Sequence, residues 1–461
     1  MIESLRNIWS MPDLRKRILF TLALLAVYRV GAIIPTPGIN TDVLRTFFEQ
    51  NRGTVFGFLD LFSGGNLRNF TIFALGITPY ITASIILQLL TVVWPFLEKL
   101  SKEGELGRKK ITQYTRYLTV VLSAVQSVGI AATLSRMPVQ GGAVVLNPGL
   151  GFVLMTMLTL TTGTAFIMWL GEQISDRGIG NGMSLIIFAG IVVGLPRASA
   201  EIYTRLATQQ WSPLVVILLL AMMVTVVAFI VLVERGQRRI AVQYAKRVVG
   251  RRVMGGQSTH LPLKVNVGGV IPVIFASSII TFPQTFGLLF RDSKFFKNMS
   301  DALHFGEPLY NLLYVLGIIF FCYFYTSIIF NPTEVADNMR KYGVFIPGIR
   351  PGRKTAEYIE TILTRITFAG AIYLALIAII PEFMITGFHI NHLPVVGRYF
   401  DSFPNWVLNG MGVQFYFGGT SLLIVVGVAM DTVQQIEAQL VMRHYDGFLG
   451  PRGRRIRGRR G

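Results

Sequence analysis

The sequence predicts an all-α polytopic membrane protein with ten transmembrane helices. Long apolar stretches, nearly free of ionisable groups, recur along the 461 residues, of which 52% are hydrophobic and 15% charged. A bilayer core of about 30 Å is crossed by roughly 20 apolar helical residues, and most of the stretches approach that length. The segments between them alternate between strongly basic and weakly charged. Continuous apolar runs lack the alternation of a membrane barrel, so helices are left as the structure that satisfies its own backbone in lipid.

In chain order the candidate spans are 18–34, 72–93, 118–136, 151–171, 183–195, 213–233, 267–286, 310–330, 366–385 and 413–430. The first follows a basic leader, lacks a small-residue cleavage pattern and runs into Ile34-Pro35-Thr36-Pro37, so a retained span is expected rather than a signal peptide. Arg29 lies near its outer end, where the charge can snorkel to the interface. Next comes a stretch from Asp60 to Phe70, too polar to span, yet with Leu59, Phe62, Leu67 and Phe70 at helical spacing. It reads either as an outer loop or as an element folded back into a cavity, with Gly64-Gly65 as its soft point. The second span opens on Gly76 and Pro79, the fifth stops at Pro196 after 13 residues, and the seventh carries Gly268, Gly269, Pro272 and Pro283. Short or interrupted helices belong beside a protein-lined cavity, where irregular backbone is hydrated.

The basic residues orient the spans. Lys and Arg number 32 in the N-terminus, the loops near 94–117, 172–182, 234–266 and 331–365, and the tail 431–461. They number 10 in the loops near 35–71, 137–150 (with Arg136 at its edge), 196–212, 287–309 and 386–412. The positive-inside rule therefore puts both termini in the cytoplasm. The 234–266 loop holds eight bases against one acid, Glu234. That charge either orients the helices against anionic lipid or forms a docking surface.

Several function classes lose support. The chain has no G-x-x-x-x-G-K-[ST], no H-E-x-x-H and a single cysteine, Cys322. His389 and His392 lack a third metal ligand nearby, and the glycine-rich run 177–182 follows a membrane span rather than a strand. No catalysis, cofactor or metal is expected. Coupled transporters keep charged groups at mid-bilayer, whereas the mid-span polar residues here include the uncharged Ser84, Gln88, Gln126 and Ser277. A channel fits better; a secondary transporter, an intramembrane enzyme and a static scaffold are the alternatives.

Long blocks carry a resemblance: FSGGNLRNFTIFALGITPYITASIILQLL (62–90), EGELGRKKITQYTRY (103–117), WLGEQISDRGIGNGMSLIIFAGIVVGLP (169–196), ERGQRRIAVQYAKR (234–247), GRRVMGGQSTHLPLKVN (250–266), NPTEVADNMRKYGVFIPGIRPG (331–352) and FGGTSLLIVVGVAMDT (417–432). With these the sequence resembles the SecY family of protein-conducting channel subunits, which includes the eukaryotic Sec61 alpha subunit. The resemblance implies two inverted, pseudo-symmetric halves around an hourglass pore: 1–200 with spans one to five, and 201–430 with spans six to ten. A basic cytoplasmic tail, 431–461, follows. The pore would open across the membrane for secreted segments, and sideways between spans two/three and seven/eight for hydrophobic helices.

The implied pore ring is Ile77, Ile81, Met183, Ile187, Ile274 and Ile424, with Ile85 one turn beyond Ile81. The implied plug is Asp60, Leu61, Phe62, Ser63, Gly64, Gly65, Asn66, Leu67, Arg68, Asn69 and Phe70. Residues 77, 81 and 85, like 183 and 187, are four apart and share a helix face. Met183 stands where the family commonly has a β-branched residue, and its thioether can still fill gaps. The implied partners are the small membrane subunits SecE and SecG, the SecA ATPase, the ribosome, signal peptides, nascent chains and lipids of the bacterial inner membrane. Arg251, Arg252 and Arg350 would dock motor or ribosome, since the planar guanidinium suits RNA phosphates and protein carboxylates alike.

Overall fold

Helices lie over all ten expected spans in the computed structural model, whose described residues are 11–50, 60, 63–136, 143–209, 212–244, 247–249, 252–254, 258–289, 303, 307–386 and 419–449. The order is α1 (Pro12–Gly31), α2 (Thr41–Gln50), α3 (Thr78–Val93), α4 (Pro95–Lys102), α5 (Glu105–Arg136), α6 (Leu150–Arg177), α7 (Gly182–Ala207) and α8 (Pro213–Arg235). Strands β1 (Gln237–Tyr244), β2 (Arg247–Val249), β3 (Arg252–Met254) and β4 (Ser258–Lys264) come next. The chain then forms α9 (Ile271–Leu289), α10 (Pro308–Ile329), α11 (Pro332–Lys341), β5 (Val344–Phe345), α12 (Arg353–Thr386) and α13 (Gly419–Leu449). Among the described residues, seven helices are long and apolar enough to cross a membrane alone, and α3 with α4 forms a further candidate bent by 98° at Trp94.

The starts follow from local chemistry. Pro12, Pro95, Pro308 and Pro332 stand at helix N-termini, where a missing N–H is harmless. Asn181 caps α7, its side-chain oxygen accepting from the N–H groups of Met183 (3.1 Å) and Ser184 (3.4 Å). Two span boundaries differ from expectation. Turns occupy 72–77, and the second membrane helix starts only at Thr78, because Gly76 adopts φ +57° and Pro79 fits only a first turn. The fifth helix does not stop at Pro196 but runs through it to Ala207. Proline is tolerated inside membrane helices, where neighbouring helices, Ser/Thr side chains or local adjustments take up the carbonyl it leaves without a donor.

The larger difference lies in loops 234–266 and 331–365. An all-helical chain was expected, yet β1 pairs antiparallel with β4 (Ile240 opposite Leu261) and with β5 (Gln243 opposite Phe345), giving the order β4-β1-β5. Residues two apart in a strand face one side, so Ile240 and Val242 turn together into a small core with Leu263, Ile346 and Ile359. Loops 234–266 and 331–365 are thus one unit. In the membrane region a single apolar cluster draws on α1, α3, α6, α7, α8, α9, α10, α12 and α13. Arg29 is half-buried, with Nη1 enclosed and without a hydrogen-bond partner among the described residues.

Candidate functional site

The residues expected to form the ring lie on four helical segments from both halves of the sequence and belong to, or pack against, one buried apolar cluster. Ile77 immediately precedes α3, Ile81 lies in its first turn, Ile187 is on α7, Ile274 on α9 and Ile424 on α13. All five are buried members of the main cluster, none more than 9% exposed, and Met183 packs against it. Ile85 is in the same cluster at 1%. The Met183 thioether is seated against Gly171 of α6, where any added side chain would collide with it.

The described part of the 60–70 segment is tightly built. Asp60, Ser63, Asn66, Leu67 and Phe70 are buried. Asp60 organises the turn: its carbonyl accepts from the Gly65 N–H (2.8 Å) and the Ser63 hydroxyl (3.0 Å), and its carboxylate from the Arg68 N–H (2.9 Å). The Ser63 hydroxyl oxygen accepts from the Leu67 N–H (3.2 Å), and the Asn66 carbonyl from the Thr71 N–H (3.0 Å). Tyr28 of α1 ties the segment down, donating to the Ser63 carbonyl at 3.4 Å and accepting from the Asn66 amide at 3.2 Å. Gly64 and Gly65 sit at φ +72° and +82°, a region glycine enters freely.

This segment meets the ring through its glycines. A Cβ added to Gly64 would lie 2.6 Å from the Cα of Gly190, one turn beyond Ile187. A Cβ on Gly76, the neighbour of Ile77, would lie 3.5 Å from the Ser63 Cα. Leu67 and Phe70 face the other way, into a second cluster with Leu44, Phe48, Leu134, Val145 and Phe152. Leu59, Leu61 and Phe62 lie outside the described residues. Tyr28 and Gly190 were not singled out from sequence. The tyrosine is one more aromatic in an apolar run, and a glycine reveals its role only when a second backbone reaches it.

Of the three arginines expected to dock a partner, Arg350 is exposed in the turn 346–352, held by Gly348 and Gly352 at positive φ and by a 3.0 Å hydrogen bond from the Thr355 hydroxyl to the Arg350 carbonyl. Nearby, Lys354 bonds Glu357 at 2.9 Å and holds its carboxyl below the usual range. Arg252 belongs to β3, but its side chain lies outside the described residues, as does Arg251 entirely. His389 and His392 also lie outside them.

The comparisons agree with one another. The SecY family model matches residues 71–433. A curated relative, protein translocase subunit SecY of Escherichia coli (strain K12), is 51% identical over 443 residues, covering 95% of each chain. Among solved structures, one described as a protein conducting channel superposes with a TM-score of 0.64 at 17% identity, covering 93% of each chain. A Sec61 chain from a canine ribosome–channel complex gives 0.57 at 18% identity over 93% of each chain. At those identities the structures speak for the fold.

Proposed function

The chain belongs to the SecY family of protein translocase subunits and is a channel subunit of a bacterial membrane, not an enzyme; we propose the following division of labour among its residues. Ile77, Ile81, Met183, Ile187, Ile274 and Ile424 form an apolar gasket, and segment 60–70 is the plug that backs it. The observation that supports this reading is that the isoleucines of the proposed ring, from four segments, are buried members of one apolar cluster, while the glycine edge of 60–70 abuts backbone beside two of them. An ion crossing an apolar constriction sheds its water, at a cost on the order of tens of kcal/mol in the idealised limit. The constriction gates by dewetting, while flexible side chains yield to a polypeptide.

Secretory chains pass through the ring, and hydrophobic helices leave sideways between α3 and α5 on one side and α9 and α10 on the other. SecE clamps the two halves and SecG is peripheral. SecA or the ribosome supplies the energy from the cytoplasm, docking on Arg251, Arg252 and Arg350. The inner membrane holds the chain with both termini cytoplasmic, in line with the excess of Lys and Arg on that side.

Replacing Ile81, Ile187 and Ile274 together by Ser tests the reading in planar bilayers. Resting ion conductance is expected to rise by about an order of magnitude or more, as polar groups hydrate the constriction. Unchanged conductance would remove these residues from the barrier.

A further inference from the structure

The cytoplasmic end of α13 touches the approach to two other ring-bearing helices, α7 and α9. In the C-terminal half, β4 leads through residues 265–270 into α9, which carries Ile274. Lys264 Nζ donates to Gln434 Oε1 at 2.7 Å and lies 3.8 Å from the Asp431 carboxylate. In the N-terminal half, the loop between α6 and α7 leads into the helix that carries Met183 and Ile187. There the Gly180 N–H donates to Gln435 Oε1 at 3.1 Å, and a Cβ on Gly180 would lie 3.4 Å from the Thr432 hydroxyl. Two consecutive glutamines thus reach opposite halves of the sequence from one helical turn.

The 265–270 link is held so that a displacement at its start reaches the ring. Its Val265 N–H donates to the Gly236 carbonyl at 3.0 Å, and a Cβ on Gly370 of α12 would lie 2.9 Å from the Val265 carbonyl oxygen. The buried Asn266 amide donates to Glu234 Oε1 at 2.7 Å and to the Gly269 carbonyl at 3.0 Å, folding the link across a left-handed Gly269 (φ +58°). Val270 then packs directly on the backbone at Gly427 of α13. That contact is one helical turn from Ile274 on one side and from Ile424 on the other. Close-packed contacts of this kind have discrete arrangements rather than continuous give.

We propose that the turn 431–435 is a yoke that sets the closed spacing of the two halves, with Gln434 and Gln435 as positioning residues and Asn266 stiffening the link on which Gln434 acts. The proposal rests on the ring reading above. Each glutamine offers a hydrogen-bond acceptor to a donor on a different half; losing one loosens one half, and losing both frees the ring to widen.

The test uses the full chain, reconstituted with its small membrane subunits, and reads resting conductance, binding of the cytoplasmic motor and thermal stability. Gln434→Leu and Gln435→Leu are each expected to raise the open population by about threefold to tenfold, the effect of one lost hydrogen bond. The double variant should exceed either, with motor affinity unchanged. Gln434→Glu and Gln435→Glu, which keep the acceptor oxygen, should restore the closed conductance; a general packing role would not distinguish Leu from Glu in this way. Resting conductance unchanged in the double Leu variant overturns the yoke, as does an equal leak in the Glu and Leu variants. The triple Ser ring variant runs alongside. If it leaks while the double Leu variant stays closed, only the yoke fails; if it stays closed, the ring reading fails independently.

Discussion

Two of the described parts of this protein that are not helical spans satisfy their backbones by different means. The described part of the 60–77 segment lies among apolar helices. There, side chains of Asp60, Ser63 and Tyr28 supplement backbone bonds such as Gly65 N–H to the Asp60 carbonyl and Ile72 N–H to the Ile34 carbonyl. The β4-β1-β5 sheet lies in the loops between spans, and closes its inner backbone by a strand ladder. Away from water each unmet polar group costs several kcal/mol, so the first region must account for nearly every donor and acceptor. The sheet only has to bury one apolar face. The proposed plug is therefore expected to be sensitive to polar and glycine changes, and the sheet to loss of apolar volume.

The largest expected effect tests the sheet side. Ile359 is fully buried beneath the sheet, and Ile359→Ala should cost that unit about 2–5 kcal/mol. Hydrogen exchange should show lost protection in β1 and β4 with protection at 63–76 unchanged. Equal loss in both regions would mean that they unfold as one.

Gly64→Val tests the plug side. A β-branched residue at φ +72° pays roughly 1–2 kcal/mol in backbone strain and also collides with Gly190. The segment should leave its seat, seen as raised resting conductance and as loss of a cysteine crosslink between position 63 and position 76. A Val variant with wild-type conductance and an intact crosslink would show that the close approach does not seat the segment.

Legibility in the sequence divides along the same line. The spans were legible because the bilayer imposes one length and one polarity on every crossing. The sheet was hidden by its brevity: Ile240 and Val242 alternate with polar neighbours over a few residues, inside a loop whose eight bases dominate the reading. Pro196 looked like a helix end because in water it usually is one. The ring positions became visible only through family resemblance, since isoleucines four apart suit lipid contact equally well. Tyr28, Gly190, Gln434 and Gln435 had no signal at all. Each acts through a partner between 35 and 255 positions away in the chain.

The smallest effects isolate a single hydrogen-bonding group in each region. Tyr28→Phe removes one hydroxyl and leaves the Ser63 carbonyl and Asn66 amide to find other partners, a loss of about 1 kcal/mol. Plug–ring crosslinking should weaken measurably, without the full release expected of Gly64→Val. At the sheet, Pro262 pairs with Arg239 in β4, an edge strand, where a residue without an N–H is tolerated and discourages pairing with another chain. Pro262→Thr supplies a donor that water can satisfy, so stability should change by less than about 0.5 kcal/mol, as for an ordinary surface substitution. The change should appear instead as slow self-association of the detergent-solubilised protein at high concentration. A destabilisation as large as that of Tyr28→Phe would show that β4 is covered on its outer edge, and that the sheet accounts for its donors as strictly as the plug does.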